Sequence, residues 1–186
     1  VTVLMGSAAA VLIVFAERIL LLWTADTMLA KEVAPLMQVL ALGTLLHGLM
    51  WIPYQMQLAY GWTSLAIRIN IIAVSVLVPA ILWLVPLYGA MSAAWIWVAL
   101  NSAYVLIGVH FMYRRILKTE KWVWYHTDVV LPLSAAFVVA LLCKMFFAGE
   151  YGRLGDLLVV GASSVLVLCA AGVVAPMVRE KIKSHT

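Results

Sequence analysis

Charged side chains are scarce in this sequence: 12 Lys and Arg and 8 Asp and Glu in 186 residues, or 11%. A soluble domain is about a quarter charged. Too little charge is present to cover a water-facing surface, so a fully soluble protein is excluded. Cysteine is scarcer still, with only Cys143 and Cys169, which excludes a disulfide-stapled scaffold. Low hydrophobicity, the mark of a disordered chain, is missing as well. Hydrophobic types make up 66% and the mean hydropathy is +1.09.

Long uncharged runs take the place of the missing charge. Ile69 to Tyr113 is 45 residues without Asp, Glu, Lys or Arg, and Val33 to Ile67 is another 35. One helix crossing ~30 Å of hydrocarbon needs about 20 residues, so each run holds more than one pass. Backbone polar groups must be paired within lipid, which leaves helices or a closed barrel. A barrel alternates apolar and polar residues, and runs such as VLIVF and ILLLW do not. The expected fold is all-α, a polytopic transmembrane helical bundle.

Six spans are expected: Val1 to Trp23, interrupted by Glu17 and Arg18; Ala34 to Tyr60, with Pro53 in its path; Ser64 to Val85; Gly89 to Phe111; Val129 to Ala148; and Leu157 to Val178. Pro86 and Gly89 bracket an expected tight turn between the third and fourth. Pro53 and Pro79 are expected to kink their helices. The basic, aromatic segment from Met112 to Asp128 has the composition of an interfacial segment anchored at headgroups.

Cation placement sets the orientation. Arg68, Arg114, Arg115, Lys118, Lys121, Arg179, Lys181 and Lys183 fall on one side, eight in all, against Lys31 and Arg153 on the other; Arg18 and Lys144 lie within spans. Both ends of the chain are therefore expected in the cytoplasm. The net charge of +4 follows from this bias. These dispersed cations suit anionic lipid headgroups, and no nucleic-acid partner is expected. Val1 leads into an apolar stretch with neither a basic n-region nor a small-residue cleavage site, so a signal peptide is not expected. The chain reads as a piece of a longer protein.

No catalytic motif is present: no G-x-S-x-G, H-E-x-x-H or phosphate-binding lysine loop. His47, His110, His126 and His185 have no ligand-like spacing with the cysteines. Neither an enzyme nor a metal protein is expected. Polar groups within spans carry more information, because each is costly in hydrocarbon and faces a cavity or a partner.

In span two, His47, Trp51 and Tyr54 share a helical face. They form either a cavity wall that bonds hydroxyls or relays protons, or interhelical glue. In span four, Trp97, Asn101, Tyr104 and Gly108 form a second stripe, suited to sugar stacking and hydroxyl bonding or to tight packing, with Gly108 admitting a neighbour. The small residues Gly89, Ala90, Ser92, Ala93 and Ala94 mark close helix approach. Glu17 and Arg18 offer a proton-exchanging acid and an anion ligand, or a snorkelling pair. Arg68 either attracts a diphosphate headgroup or serves the positive-inside bias.

Two stretches carry a family resemblance: EVAPLMQVLALGTLLHGLMWIPYQMQLAYGWTSLAIRIN and LVPLYGAMSAAWIWVALNSAYVLIGVHFMYRR. The LALG run ending in QLAYG, the Pro86-x-x-Gly89-Ala90 turn and their spacing resemble the C-terminal portion of bacterial polysaccharide (O-antigen type) flippases. These belong to the multidrug/oligosaccharidyl-lipid/polysaccharide exporter superfamily. The match runs roughly from Arg18 to Lys121.

The resemblance implies a two-lobe transporter of about 12 to 14 helices. Residues 1–128 would belong to the second lobe and 129–186 would form an added C-terminal helix pair with a basic tail. It implies export of lipid-diphosphate-linked oligosaccharide across the bacterial cytoplasmic membrane for surface polysaccharide and lipopolysaccharide. No cofactor is implied. The partners would be the lipid-linked substrate, membrane lipids, a coupling ion and glycan-assembly proteins. The alternatives are a drug/cation antiporter of the same superfamily and a non-transporting scaffold for glycan-assembly enzymes.

Overall fold

The structure, a computed structural model, describes residues 1–115, 122, 124–149 and 151–175. Lys118, Lys121, Arg179, Lys181, Lys183, His185 and the end of the sixth expected span lie outside them. Among the described residues there is no strand. Among the same described residues, five helices are long and apolar enough to cross a membrane, or six if one bent pair is a single span. The chain has the build of a multi-pass membrane protein.

By contact it divides into two compact units, Val1–Ala41 with Trp122–Thr186, and Leu42–Lys121. In the first unit, the first helix packs with the last two described ones.

In the first unit, α1 (Thr2–Val14) and α2 (Ala16–Thr24) meet at a 76° bend. The first expected span is thus corrected to a broken pair. At 13 residues, α1 is about 20 Å long, short of the ~30 Å hydrocarbon core. No proline or glycine marks the break. Phe15 leaves the helix at φ −108°, ψ 19° and buries its ring among α8 (Leu131–Phe146) and α9 (Arg153–Val174). The break also ends the helical ladder below Ile13, whose carbonyl accepts a 2.9 Å bond from Gln38 Nε2.

Ala136 and Ala140, fully buried and four residues apart on α8, present one small-residue face to α1 and α9. On α9, Val159, Ser163, Val167 and Ala171 repeat at intervals of four and are all buried. A π-helical segment (Trp124–Val130) leads directly into α8. Pro132 cannot bond to the Asp128 carbonyl and crowds it, which widens the preceding turn. The helical stretch long and apolar enough to span therefore begins at Trp124, five residues before the expected Val129; residues 116–121 and 123 of the expected interfacial segment lie outside the described residues.

The second helix begins earlier than its apolar run. It starts at Thr27 because Asp26 Oδ1 accepts from the amides of Met28 (2.9 Å) and Leu29 (3.1 Å), capping α3 (Thr27–Leu49). Residues through Ala41 lie in the first unit and the remainder in the second. A break at Met50 separates α3 from α4 (Trp51–Ala59). Pro53 accounts for it, since it cannot donate to the Leu49 carbonyl.

The third span, α5 (Thr63–Tyr88), runs past both Pro79 and Pro86. The turn expected between Pro86 and Gly89 is corrected to Gly89 alone, at φ 70°, where the missing Cβ removes the strain. Ser92 Oγ donates to the Gly89 carbonyl at 2.7 Å and starts α6 (Ala90–Ala103). Of the small run at this end only Ala94 is buried. A π-helical segment (Tyr104–Gly108) then joins α6 to α7 (Val109–Arg115).

Candidate functional site

The second unit holds a half-open cavity of about 250 Å³, walled in part by His47, Trp51, Tyr54, Gln57, Asn70 and Tyr104. Among the described residues, no Asp, Glu, Lys or Arg lines it. Its polarity comes from neutral groups placed by three successive spans. The break at Met50 keeps His47 of α3 and Trp51 and Tyr54 of α4 on one wall. Asn70 comes from α5 and Tyr104 from the start of the π segment.

A side-chain network holds this wall. Asn101 is fully buried, and its Nδ2 donates to the Trp97 carbonyl at 2.8 Å. Its Oδ1 therefore faces His47 Nδ1, 3.0 Å away. An amide oxygen can only accept, so Nδ1 carries the hydrogen, which makes Nε2 the acceptor of the uncharged tautomer. The His47 and Trp97 rings lie 5.5 Å apart. Tyr104 Oη donates to Asn70 Oδ1 at 2.9 Å. Gln57 is 2% exposed, and its Oε1 has no hydrogen-bond partner among the described residues. A buried acceptor without a donor is costly. At Gln57 the cavity calls for a ligand group that donates a hydrogen bond, and at Asn70 for one that accepts.

Of the expected site residues, His47, Tyr54, Trp97, Asn101 and Tyr104 come together here. The two stripes of spans two and four meet through the His47–Asn101 bond. Tight approach falls elsewhere than at Gly108: a methyl there would make ordinary contact with Met50 and Ile69. At Gly43, by contrast, a Cβ would overlap the Trp97 indole. Arg68 is exposed and does not line the cavity.

Glu17 and Arg18 belong to the first unit, in a separate cavity of about 400 Å³ with Lys31, Lys144, Tyr151 and Asp156. Arg18 is a clasp. Its Nη2 donates to the carbonyls of Phe147 (2.6 Å) and Gly149 (2.8 Å), and its Nη1 lies 3.6 Å from Asp156 Oδ1. The guanidinium also lies 5.8 Å from the centre of the Tyr151 ring. Such an arginine is committed to joining α2 to the ends of α8 and α9. Arg153 supports the same joint through a 3.0 Å bond to the Leu22 carbonyl.

No family model, curated protein or solved structure matches the chain. The site therefore stands on its own geometry. Two of its members, Gln57 and Asn70, are absent from the residues the sequence singles out as site candidates. Gln57 is one of three glutamines in span two, and only burial separates it from the exposed Gln55. Asn70 is the single amide in the run INIIAVSVLV, and that isolation was its signal. Among the described residues no group of His, Cys, Asp and Glu is placed to hold a metal ion.

Proposed function

We propose that this chain is part of a bacterial cytoplasmic-membrane transporter that flips lipid-diphosphate-linked oligosaccharide to the outer leaflet for surface polysaccharide export. The observation that carries the reading is the uncharged, hydrogen-bonding cavity set among apolar spans. A sugar hydroxyl leaving water without a replacement bond costs about 2–7 kcal/mol. His47 Nε2, Gln57 Oε1, the free hydrogens of Asn70 and the tyrosine hydroxyls supply such replacements, and the rings of Trp51, Tyr54 and Tyr104 supply apolar faces. At about 250 Å³, just under the ~300 Å³ lower bound of small-molecule sites, the cavity holds one sugar ring at a time. Both chain ends lie in the cytoplasm in this reading, and an ion gradient drives the cycle. Membrane lipids and glycan-assembly proteins are its neighbours.

The test is a leaflet-accessibility assay of the full-length protein, normalised to membrane abundance. Trp97→Ala, which removes the neighbour of His47, is expected to slow flipping by about tenfold, the effect of losing about 1.4 kcal/mol. Glu17→Gln is expected to slow it as well if the acid exchanges the coupling proton. Unchanged flipping in both variants would contradict these roles. Ion-coupled efflux of organic cations, lost in Glu17→Gln and indifferent to the lipid substrate, would favour a drug/cation antiporter instead.

A further inference from the structure

Beside the polar cavity lies an apolar groove of about 460 Å³ between α5 and the helix formed by α6 and its π segment. Ile72, Val76 and Ala80 form one wall, and Ile96, Leu100 and Ile107 contribute to the other. The two spaces share Ile69 and Tyr104 in their walls, so they lie side by side. Tyr104 stands at the boundary and lines both spaces, its hydroxyl bonded to Asn70 of the cavity.

Depth along the helices matches the two halves of a lipid. On α5 the cavity uses Ala66, Ile69 and Asn70, within the first eight residues of a helix that begins at Thr63. The cavity therefore sits near the membrane boundary, whichever leaflet that is. The groove continues from Ile69 to Ala80 on α5 and from Ile107 back to Ile96 on the antiparallel partner. Eleven residues of rise give about 16 Å, which is one leaflet of a ~30 Å hydrocarbon core. Polar groups at the interface and an apolar channel one leaflet deep are the outline of a single amphiphile.

We propose that the cavity and groove form one binding site for a lipid with an uncharged, hydroxyl-bearing head. The head donates to the unpartnered Gln57 Oε1 and to His47 Nε2, and the hydrocarbon chain lies along α5 and α6. The described lining residues carry no charge, so in this proposal the sugar of the lipid-linked substrate, not its diphosphate, occupies the cavity. Arg68, exposed on α5 within one turn of Ile69 and Asn70, is the nearest cation along that helix for a phosphate outside it. The inference rests on the transport reading only for the substrate's identity. The lipid site itself can be tested without flipping.

The full-length protein is reconstituted in zwitterionic phospholipid vesicles doped with a monoglycosyl diacylglycerol that carries a diazirine in one acyl chain. A phosphatidylcholine with the same photoreactive chain is the control. Cross-links of the glycolipid are expected to concentrate on residues 72–80 and 96–107 at several-fold the yield of the control. Gln57→Leu is expected to remove that excess, and a tryptophan in place of Ala99, which also lines the groove, fills it, so that Ala99→Trp is expected to abolish the cross-links there. Melting in detergent confirms that both variants fold; if Gln57→Leu does not, Gln57→Met replaces it. Equal labelling by both lipids, unaffected by Gln57, would overturn the site and leave only lipid that coats any apolar surface. Selective cross-linking in a protein that does not flip the glycan lipid would uphold the site and remove the transport reading.

Discussion

Arg18→Leu is expected to destabilise the first unit by about 2–4 kcal/mol, among the largest effects of any single replacement of a charged residue. The reason is the number of groups left behind. Two backbone carbonyls at the end of α8, of Phe147 and Gly149, lose charge-assisted bonds. Asp156, buried in the first turn of α9, loses the cation 3.6 Å away. The Asp156 term is the smaller one, because the pair keeps partial access to solvent and the separation is long. Arg18→Lys should recover only part of the loss, since an ammonium has no planar fork to reach both carbonyls. Thermal unfolding of the purified protein in detergent reads both variants. An Arg18→Leu protein as stable as the parent would mean that the side chain only reaches the interface, as the snorkelling reading holds.

At Gly43 the sign of the effect is the prediction. Glycine to alanine inside a helix ordinarily stabilises by about 0.5–1 kcal/mol. Here the new methyl would overlap the Trp97 indole, and overpacking of this kind costs about 1–3 kcal/mol. Gly43→Ala is therefore expected to destabilise, and to move Trp97 away from its place 5.5 Å from His47. A double-mutant cycle isolates the cause. In a Trp97→Ala background the clash is gone, and Gly43→Ala should become neutral or stabilising. A destabilisation of equal size in both backgrounds would show that Trp97 is not the obstacle.

The spans were legible because length and apolarity alone decide whether a helix crosses a bilayer, and both are properties of consecutive residues. Their ends and breaks depended on finer chemistry. Asp26 extends the second helix back to Thr27 through its two amide bonds, and a search for apolar runs passes over such a charged first turn. Pro53 announces the break at Met50, whereas the bend at Phe15 has no proline or glycine and is marked only by the charged pair Glu17 and Arg18 just after it. That bend exists because the ring finds a core built by residues more than 100 positions away.

The candidate site shows the same limit. Helical spacing placed His47, Trp51 and Tyr54 on one face and Trp97 and Asn101 on another. Periodicity specifies a face, not what the face meets. The bond between His47 and Asn101 spans 54 positions and belongs to tertiary packing. Arg18 illustrates the converse. An arginine within a span suggests a functional charge, and the structure employs it as a joint among three helices. Gln57 was visible as a polar residue, but only its burial with an unsatisfied oxygen distinguishes it from its neighbours.

The central claim is that a water-accessible polar cavity lies within the spans of the second unit. It is tested most directly by thiol labelling in sealed membranes, with Cys143 and Cys169 replaced by alanine. A cysteine at Asn70, on the cavity wall, is compared with one at Val76, in the apolar groove. Maleimide reacts with the thiolate, which forms in water and is suppressed in apolar surroundings. Asn70→Cys is expected to label at least about tenfold faster than Val76→Cys, and a hydroxyl-rich ligand in the cavity should slow the former alone. Equal rates at the two positions would contradict the account.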